Sequence, residues 1–242
     1  MRWCALDMGF LLWREFYGAA RLDPKAAIAG ALREAAAHAG RFGTPLYLFD
    51  KGPYARSALF PGYKAGRDSG DDEERAAAKA DFRLRLPAVA QALRDSGRFV
   101  MCYAGYEADD HAGAVAQALP KGHTLTIVSR DKDLLQLVRP RVSLFDPVTG
   151  AAHTPATFRA DWPGLHPSRW AEVKAIAGCD TDAVPGVKGV GEKTAAKYLT
   201  GGLLPLHAAR AKIEAFVGGP DYHRNLALCS LPFPGTPPVV LE

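Results

Sequence analysis

TLTIVSRDKDLLQLV, residues 124–138, runs a β-forming segment into two carboxylates, Asp131 and Asp133, and then into an apolar helical repeat. A short strand that ends in acids and passes into a helix start is the repeating unit of an open parallel sheet. In such sheets the groups that bind ligands collect just beyond the carboxyl ends of the strands. Three other stretches share this form. RWCALDMG (2–9) reads as a strand ending at Asp7, PLYLFD (45–50) as one ending at Asp50, and RFVMCYAG (98–105) as one ending just before Glu107. Between the first two, Asp23 and Pro24 open a helix expected to reach about Arg41, with an acidic N-cap, proline in its first turn and Gly43 near its end. The expected fold class is α/β with a mainly parallel central sheet.

Acids suit a helix N-terminus, and this alone would account for Glu107, Asp109 and Asp110 in GYEADDHAGAVA, and for Asp131 and Asp133. Asp7 and Asp50 differ, because each closes a hydrophobic strand and no helix is expected directly after either. Carboxylates gathered from four strand ends either take up protons or bind cations. Oxygen donors without His or Cys in the groups suit hard ions such as Mg²⁺ or Mn²⁺. Two such ions about 3.5–4 Å apart are a common device for hydrolysing phosphodiesters.

Composition points the same way. The 242 residues are 48% apolar, enough for a packed core, yet no apolar run reaches the ~18 residues of a membrane span. Met1-Arg2-Trp3-Cys4 lacks the layout of a signal peptide, so a globular cytoplasmic protein is expected. Cys4, Cys102, Cys179 and Cys229 stand singly, which suggests reduced thiols. The net charge is only +4, but setting aside Asp7, Asp50, Glu107, Asp109, Asp110, Asp131, Asp133, Asp180 and Asp182 leaves 17 acidic side chains facing 30 basic ones. Such a surface favours a polyanion.

Residues 51–85 are basic, then acidic, and interrupted by Gly and Pro. This excursion at the carboxylate edge carries Arg56, Lys64 and Arg67, which either engage a phosphate or belong to a solvated loop. Arg14 lies just past the first strand, as a phosphate contact or as a helix residue pairing with a carboxylate. From Trp162 onward the pattern is mostly helical. There VPGVKGVGEKTAAKYL sets Lys188, Gly189 and Gly191 ahead of Lys193, Thr194 and Lys197. This is either a glycine turn or a clamp on a nucleic-acid backbone, with N–H groups and a helix N-terminus turned toward phosphate. His111 receives no role, and the Pro-rich tail 231–242 is expected simply to end the chain.

GYKAGR, GYEADD, SRDKDLLQLV and DAVPGVKGVGEKTA, in this order, resemble the 5′ nuclease family from about residue 3 to the C-terminus. That family includes the 5′→3′ exonuclease domain of bacterial DNA polymerase I, standalone bacterial exonucleases and phage flap endonucleases. The resemblance implies a PIN-like core over 1–155 with a helical arch at about 52–85. It also implies a helical DNA-binding region over 156–242, with a helix-three-turn-helix (helix-hairpin-helix-like) at about 170–200. Two Mg²⁺ or Mn²⁺ ions are implied, with K⁺ at the helix-three-turn-helix. By motif match, Asp7, Asp50, Glu107, Asp109 and Asp110 serve mainly the first metal and Asp131 and Asp133 the second, where Asp182 is retained and the neighbouring Asp180 can substitute for a missing Asp only if the local backbone rotates. Lys64, Arg67, Arg56 and Arg14 take the basic positions at the scissile phosphate and 5′ strand. The implied substrate is flap, nicked or gapped DNA and RNA/DNA hybrid, cut by a monomer that carries no polymerase domain.

Two departures stand out. Asp7-Met8-Gly9 replaces the family's Asp-Gly, and GCDTDA replaces Gly-Asp-x-x-Asp-Asn, placing Cys179 where the first Asp belongs. A thiol is a poor partner for Mg²⁺, so a weakened second site that works better with Mn²⁺ is expected. A non-catalytic DNA-structure binder is the alternative, and a PIN-type ribonuclease acting on single-stranded RNA a third. The duplex clamp counts against the last.

Overall fold

The computed structural model describes residues 1–65 and 71–241. Six strands form the main sheet: β1 (Arg2–Asp7), β2 (Thr44–Leu48), β3 (Phe99–Met101), β4 (Thr124–Val128), β5 (Val142–Phe145) and β6 (Ala152–His153). Their order is β3-β2-β1-β4-β5-β6, parallel throughout except that β6 runs antiparallel to β5. The chain turns one way from β1 to β2 and the other way to β4. The switch point therefore lies at the carboxyl ends of β1 and β4, where a crevice opens.

Helices α1 (Met8–Tyr17) and α2 (Pro24–Phe42) link β1 to β2, α3 (Arg56–Leu59) and α4 (Glu73–Asp95) precede β3, and α5 (Ala108–Ala118) leads to β4. After the sheet come α6 (Pro155–Asp161), α7 (Trp170–Ala177), α8 (Glu192–Leu199), α9 (Ala208–Phe216) and α10 (Pro220–Cys229). A two-stranded ribbon, β7 (Gly178–Cys179) against β8 (Val184–Pro185), connects α7 to α8. It closes tightly because Gly186 has no side chain: a Cβ there would lie 2.2 Å from the Ala177 carbonyl carbon. None of the described helices is long and apolar enough to cross a membrane.

Strand alternation divides the core. In β1, Trp3 and Ala5 join the layer of α5 and α7, whereas Cys4 and Leu6 join Phe16 and Phe82 on the opposite face. The first layer continues through Trp170, Ile213 and Leu241. Residues on both sides of position 155 thus share one hydrophobic core.

The α2 expectation holds, with Asp23 accepting from the Lys25 and Ala26 amides and Gly43 closing the helix. Others need correction. Helix α1 begins directly after Asp7, whose side chain caps it by accepting from the Phe10 amide at 2.9 Å. The periodic burial of Leu11, Leu12 and Phe16 drives this helix. Strand β3 stops at Met101, because the following residues pair instead with the segment after β2, the Gly105 amide donating to the Lys51 carbonyl. Strands β5 and β6 were not expected. Among its described residues the tail forms no helix, as expected, but it does more than end the chain. Its Phe233 amide donates to Asp110 and its Leu231 amide to Gln136, and Leu241 is buried.

Candidate active site

A cleft of about 960 Å³ lies at the carboxyl ends of the central strands. Seven of the nine expected carboxylates line it: Asp7, Asp50, Glu107, Asp109, Asp131, Asp133 and Asp182. The local fold holds them in place. Ser129, fully buried just after β4, donates to Asp7 Oδ2 at 2.7 Å and accepts from the Asp131 amide at 3.1 Å, linking two strand ends. Asp50 accepts from the Ala108 amide at 2.7 Å, tying the end of β2 to the start of α5. Asp131 accepts from the Asp133 amide at 2.8 Å and so opens the 3₁₀ turn Lys132–Leu137. Gly9 lies beside this group, where a Cβ would come within 3.2 Å of Asp50 Oδ2 and 3.4 Å of Asp7 Oδ1.

Burial and mutual repulsion act on these carboxyls, although Lys64 pairs with Glu107 and Lys174 with Asp133. Burial, then Asp50, pushes Asp7 up to about 7. Burial, then Asp131, does the same for Asp133, also to about 7. Burial and Asp110 raise Asp109 well above the ordinary carboxylate range. Near neutral pH Asp7, Asp109 and Asp133 therefore favour a proton or a nearby cation.

Asp110 behaves differently. It is fully buried and accepts from Arg56 at 2.7 and 2.8 Å, from the Glu107 amide at 3.0 Å and from the Phe233 amide at 2.9 Å. Arg56 is 2% exposed and also donates to Glu107 Oε2 at 3.0 Å and to the Leu228 carbonyl at 2.8 Å. Tyr63 donates to the same Glu107 oxygen at 2.6 Å. Asp110 is thus an internal anchor with four hydrogen bonds, and it also belongs with Glu107 and Asp109 to a group whose oxygen atoms lie within 4.8 Å of one another, whereas Arg56 is buried against these carboxyls.

Lys64 does reach the cleft, pairing with Glu107 Oε1 and lying 4.0 Å from Asp182 Oδ1. Arg14 also lines it, but pairs with Glu34 on α2 and with Glu15, the alternative left open by the sequence. Arg67 lies outside the described residues. Lys79 and Arg83 of α4 line the same mouth. Neither was singled out in the sequence, where they read as ordinary charges on a helix.

The second donor group is Asp133, Cys179 and Asp182, whose ligand atoms lie within 4.8 Å of one another. Asp180 is corrected out of it. Cys179 closes β7 facing the site, and Asp180, the next residue, turns to solvent. Lys174, also missed in the sequence, reaches Asp133 at 3.1 Å and Glu192 at 3.3 Å. A lysine on the buried, apolar face of α7 was the available signal. The other group, Glu107, Asp109 and Asp110, offers only oxygen donors, which fit a hard cation, whereas the thiol of the second fits Mg²⁺ poorly.

Glu192, the first residue of α8, thereby ties the glycine hairpin to this site. In the hairpin Val187 and Val190 are buried, Gly189 adopts φ +80°, and Gly191 is the N-cap of α8. Lys188, Lys193 and Lys197 are exposed, and the last two lie one turn apart on one helix face, with Thr194 between them.

The family described as 5′-3′ exonuclease, N-terminal resolvase-like domain, matches residues 2–162. Thermostable DNA polymerase I of Thermus aquaticus is 37% identical over 156 residues, covering 64% of this chain and 18% of that protein. The 5′-3′ exonuclease of Bacillus subtilis is 34% identical over 148 residues, 60% of this chain and 47% of that protein. The matched part is therefore less than half the length of either relative. Among solved structures, the T5 5′-exonuclease with bound divalent zinc ions superposes with a TM-score of 0.79 at 23% identity, covering 95% of this chain and 89% of that one. The sheet and helices described above are thus the fold of that nuclease.

Proposed function

Since this chain belongs to the 5′-3′ exonuclease family through its N-terminal resolvase-like domain, we propose that it hydrolyses phosphodiesters near the 5′ end of DNA. Flaps, nicks, gaps and RNA primers annealed to DNA are the substrates, and two divalent cations, Mg²⁺ or Mn²⁺, the cofactors. The observation that carries this reading is the convergence of carboxylates from separate strand ends on one cleft with a basic rim.

When bound, the cations supply a water activated at neutral pH and positive charge against the phosphate. Asp7, Asp50, Asp109 and Asp131 would hold one of them, and Asp133 and Asp182, with Cys179 beside them, the other. Glu107 fixes Lys64, which with Arg83 draws the phosphate backbone to the mouth of the cleft. Residues 52–85 serve as the arch beside the 5′ strand, α3 and the first turns of α4 forming its described portions. The Gly189–Gly191 hairpin, with Lys188, Lys193, Thr194 and Lys197, acts as the helix-three-turn-helix that grips duplex phosphates without reading bases, and K⁺ belongs there. The protein works as a monomer in the cytoplasm.

Cleavage of a 5′-labelled flap duplex in Mg²⁺, Mn²⁺ and EDTA tests the proposal. Metal-dependent products cut at or near the flap junction are expected. Flap binding without cutting in either metal would make this a DNA-structure binder. Preferential cleavage of single-stranded RNA would make it a ribonuclease.

A further inference from the structure

We infer that Asp133, Cys179 and Asp182 form a mixed carboxylate–thiolate centre that takes a thiophilic divalent cation of the zinc class in preference to Mg²⁺, so that the two halves of the cleft hold chemically different ions. The inference rests on the reading of the cleft as a divalent-metal site.

Geometry supports it first. Cys179 Sγ lies 3.5 Å from Asp182 Oδ2. Bond lengths of about 2.3 Å to sulfur and about 2.1 Å to oxygen set a ligand–ligand edge of about 3.6 Å in a tetrahedral zinc site. The thiol, which donates a hydrogen bond to that carboxylate, thus stands at a separation a metal could also span, with all three donor atoms within 4.8 Å of one another. Three protein donors with a fourth position open is also the pattern of zinc sites that act on a substrate.

The three donors sit on independently fixed backbone. Asp133 belongs to the 3₁₀ turn opened by Asp131, and Cys179 pairs with Val184 in the ribbon. Asp182 precedes Ala183, which turns into the left-handed region at φ +57°, and its carbonyl accepts from the Lys64 amide at 2.9 Å. The cluster thus joins the sheet edge, the ribbon and the basic loop.

Charge supports it second. Two carboxylates and a thiolate are balanced by one divalent cation together with the Lys174 ammonium, 3.1 Å from Asp133. On binding, the thiol passes its proton to solvent and its sulfur lone pair coordinates the cation, with no change of oxidation state. Sulfur favours zinc-class ions, whereas Mg²⁺ favours oxygen and its own waters.

The test uses the full chain, stripped of metal, with Co²⁺ as spectroscopic probe. A near-ultraviolet thiolate-to-cobalt charge-transfer band is expected, lost in Cys179→Ser and in Cys179→Asp, with circular dichroism confirming that both variants fold. Zn²⁺ affinity by competition with a chromophoric chelator should fall about 10- to 100-fold in Cys179→Ser. In Cys179→Asp the Mg²⁺ affinity should rise instead. If Co²⁺ binds the wild type with visible d–d bands but no charge-transfer band, or if that band persists in Cys179→Ser, the thiolate centre is overturned while the metal cleft stands. If neither Co²⁺ nor Mn²⁺ binds at all, the metal reading itself fails.

Discussion

Asp109 and Asp110 are neighbours at the start of α5, yet the protein treats them in opposite ways. Asp110 is sealed behind Arg56 with four hydrogen bonds, whereas Asp109 faces the cleft, where burial and Asp110 hold its carboxyl far above its ordinary range. A buried carboxylate with every lone pair engaged rigidifies its surroundings. One left short of partners stores electrostatic free energy that a cation can release. The first kind anchors the site, and the second kind is left open to a cation.

Arg56→Met tests this contrast most severely, because it strands Asp110 and Glu107 in the interior. A loss of about 3–5 kcal/mol in urea unfolding is expected, the usual consequence of breaking a buried ion pair from one side. An unchanged midpoint would show that the hub does not hold the fold. Asp109→Asn should act in the reverse sense. Cleavage of a flap substrate should fall about 100-fold, or ~2.7 kcal/mol of transition-state stabilisation, while the metal-free protein becomes more stable. A destabilised Asp109→Asn would erase the distinction between the two neighbours.

The open group also predicts a pH dependence for the metal-free protein. Asp7 and Asp133 have folded values near 7, above the 3.8 of an unfolded Asp. Between about pH 4 and 7 the native state therefore binds more protons than the unfolded state. The stability these groups contribute is full below pH 4 and lost as pH rises through 7, with a slope of at most about 1.4 kcal/mol per pH unit per proton. Thermal unfolding in EDTA should show a midpoint that falls from pH 5 to pH 8, less steeply in Asp7→Asn. Saturating Mn²⁺ should flatten it. A midpoint rising over that range would contradict the picture of uncompensated carboxyls.

Much of this was legible from the chain, because it was local. Asp7, Asp50 and Asp131 follow β-forming runs whose ends must share one edge once the strands lie parallel. The separate fates of Asp109 and Asp110 were not legible, since they depend on Arg56 and on Phe233, 54 and 123 residues away from Asp110. Cys179 and Asp180 were legible only in part: a residue next to the expected position points elsewhere, and Asp180 does turn to solvent. Successive residues of a strand face opposite sides, so recognising the two-residue strand β7 would have assigned the inward position to Cys179. Ser129 left a weaker trace, as one hydroxyl between a strand and two acids. Only the fold shows that it joins Asp7 to the Asp131 amide.

The smallest expected effect carries the comparison out to the glycine hairpin. There Lys188, Lys193 and Lys197 are exposed, so they should matter for binding and hardly at all for stability. Changing Lys193 and Lys197 together to Ala removes two cations from one face of α8. If both lie against phosphates, the salt slope of duplex binding in Ca²⁺ should fall by about 2, at roughly 0.9 per contact, with the unfolding midpoint unchanged. Because Lys174 ties Glu192 to Asp133, the hairpin and the cleft should act as one unit. Glu192→Gln should therefore shift the cut position or rate without altering the salt slope. A salt slope that stays constant in the double lysine variant would place the duplex on another face of the molecule.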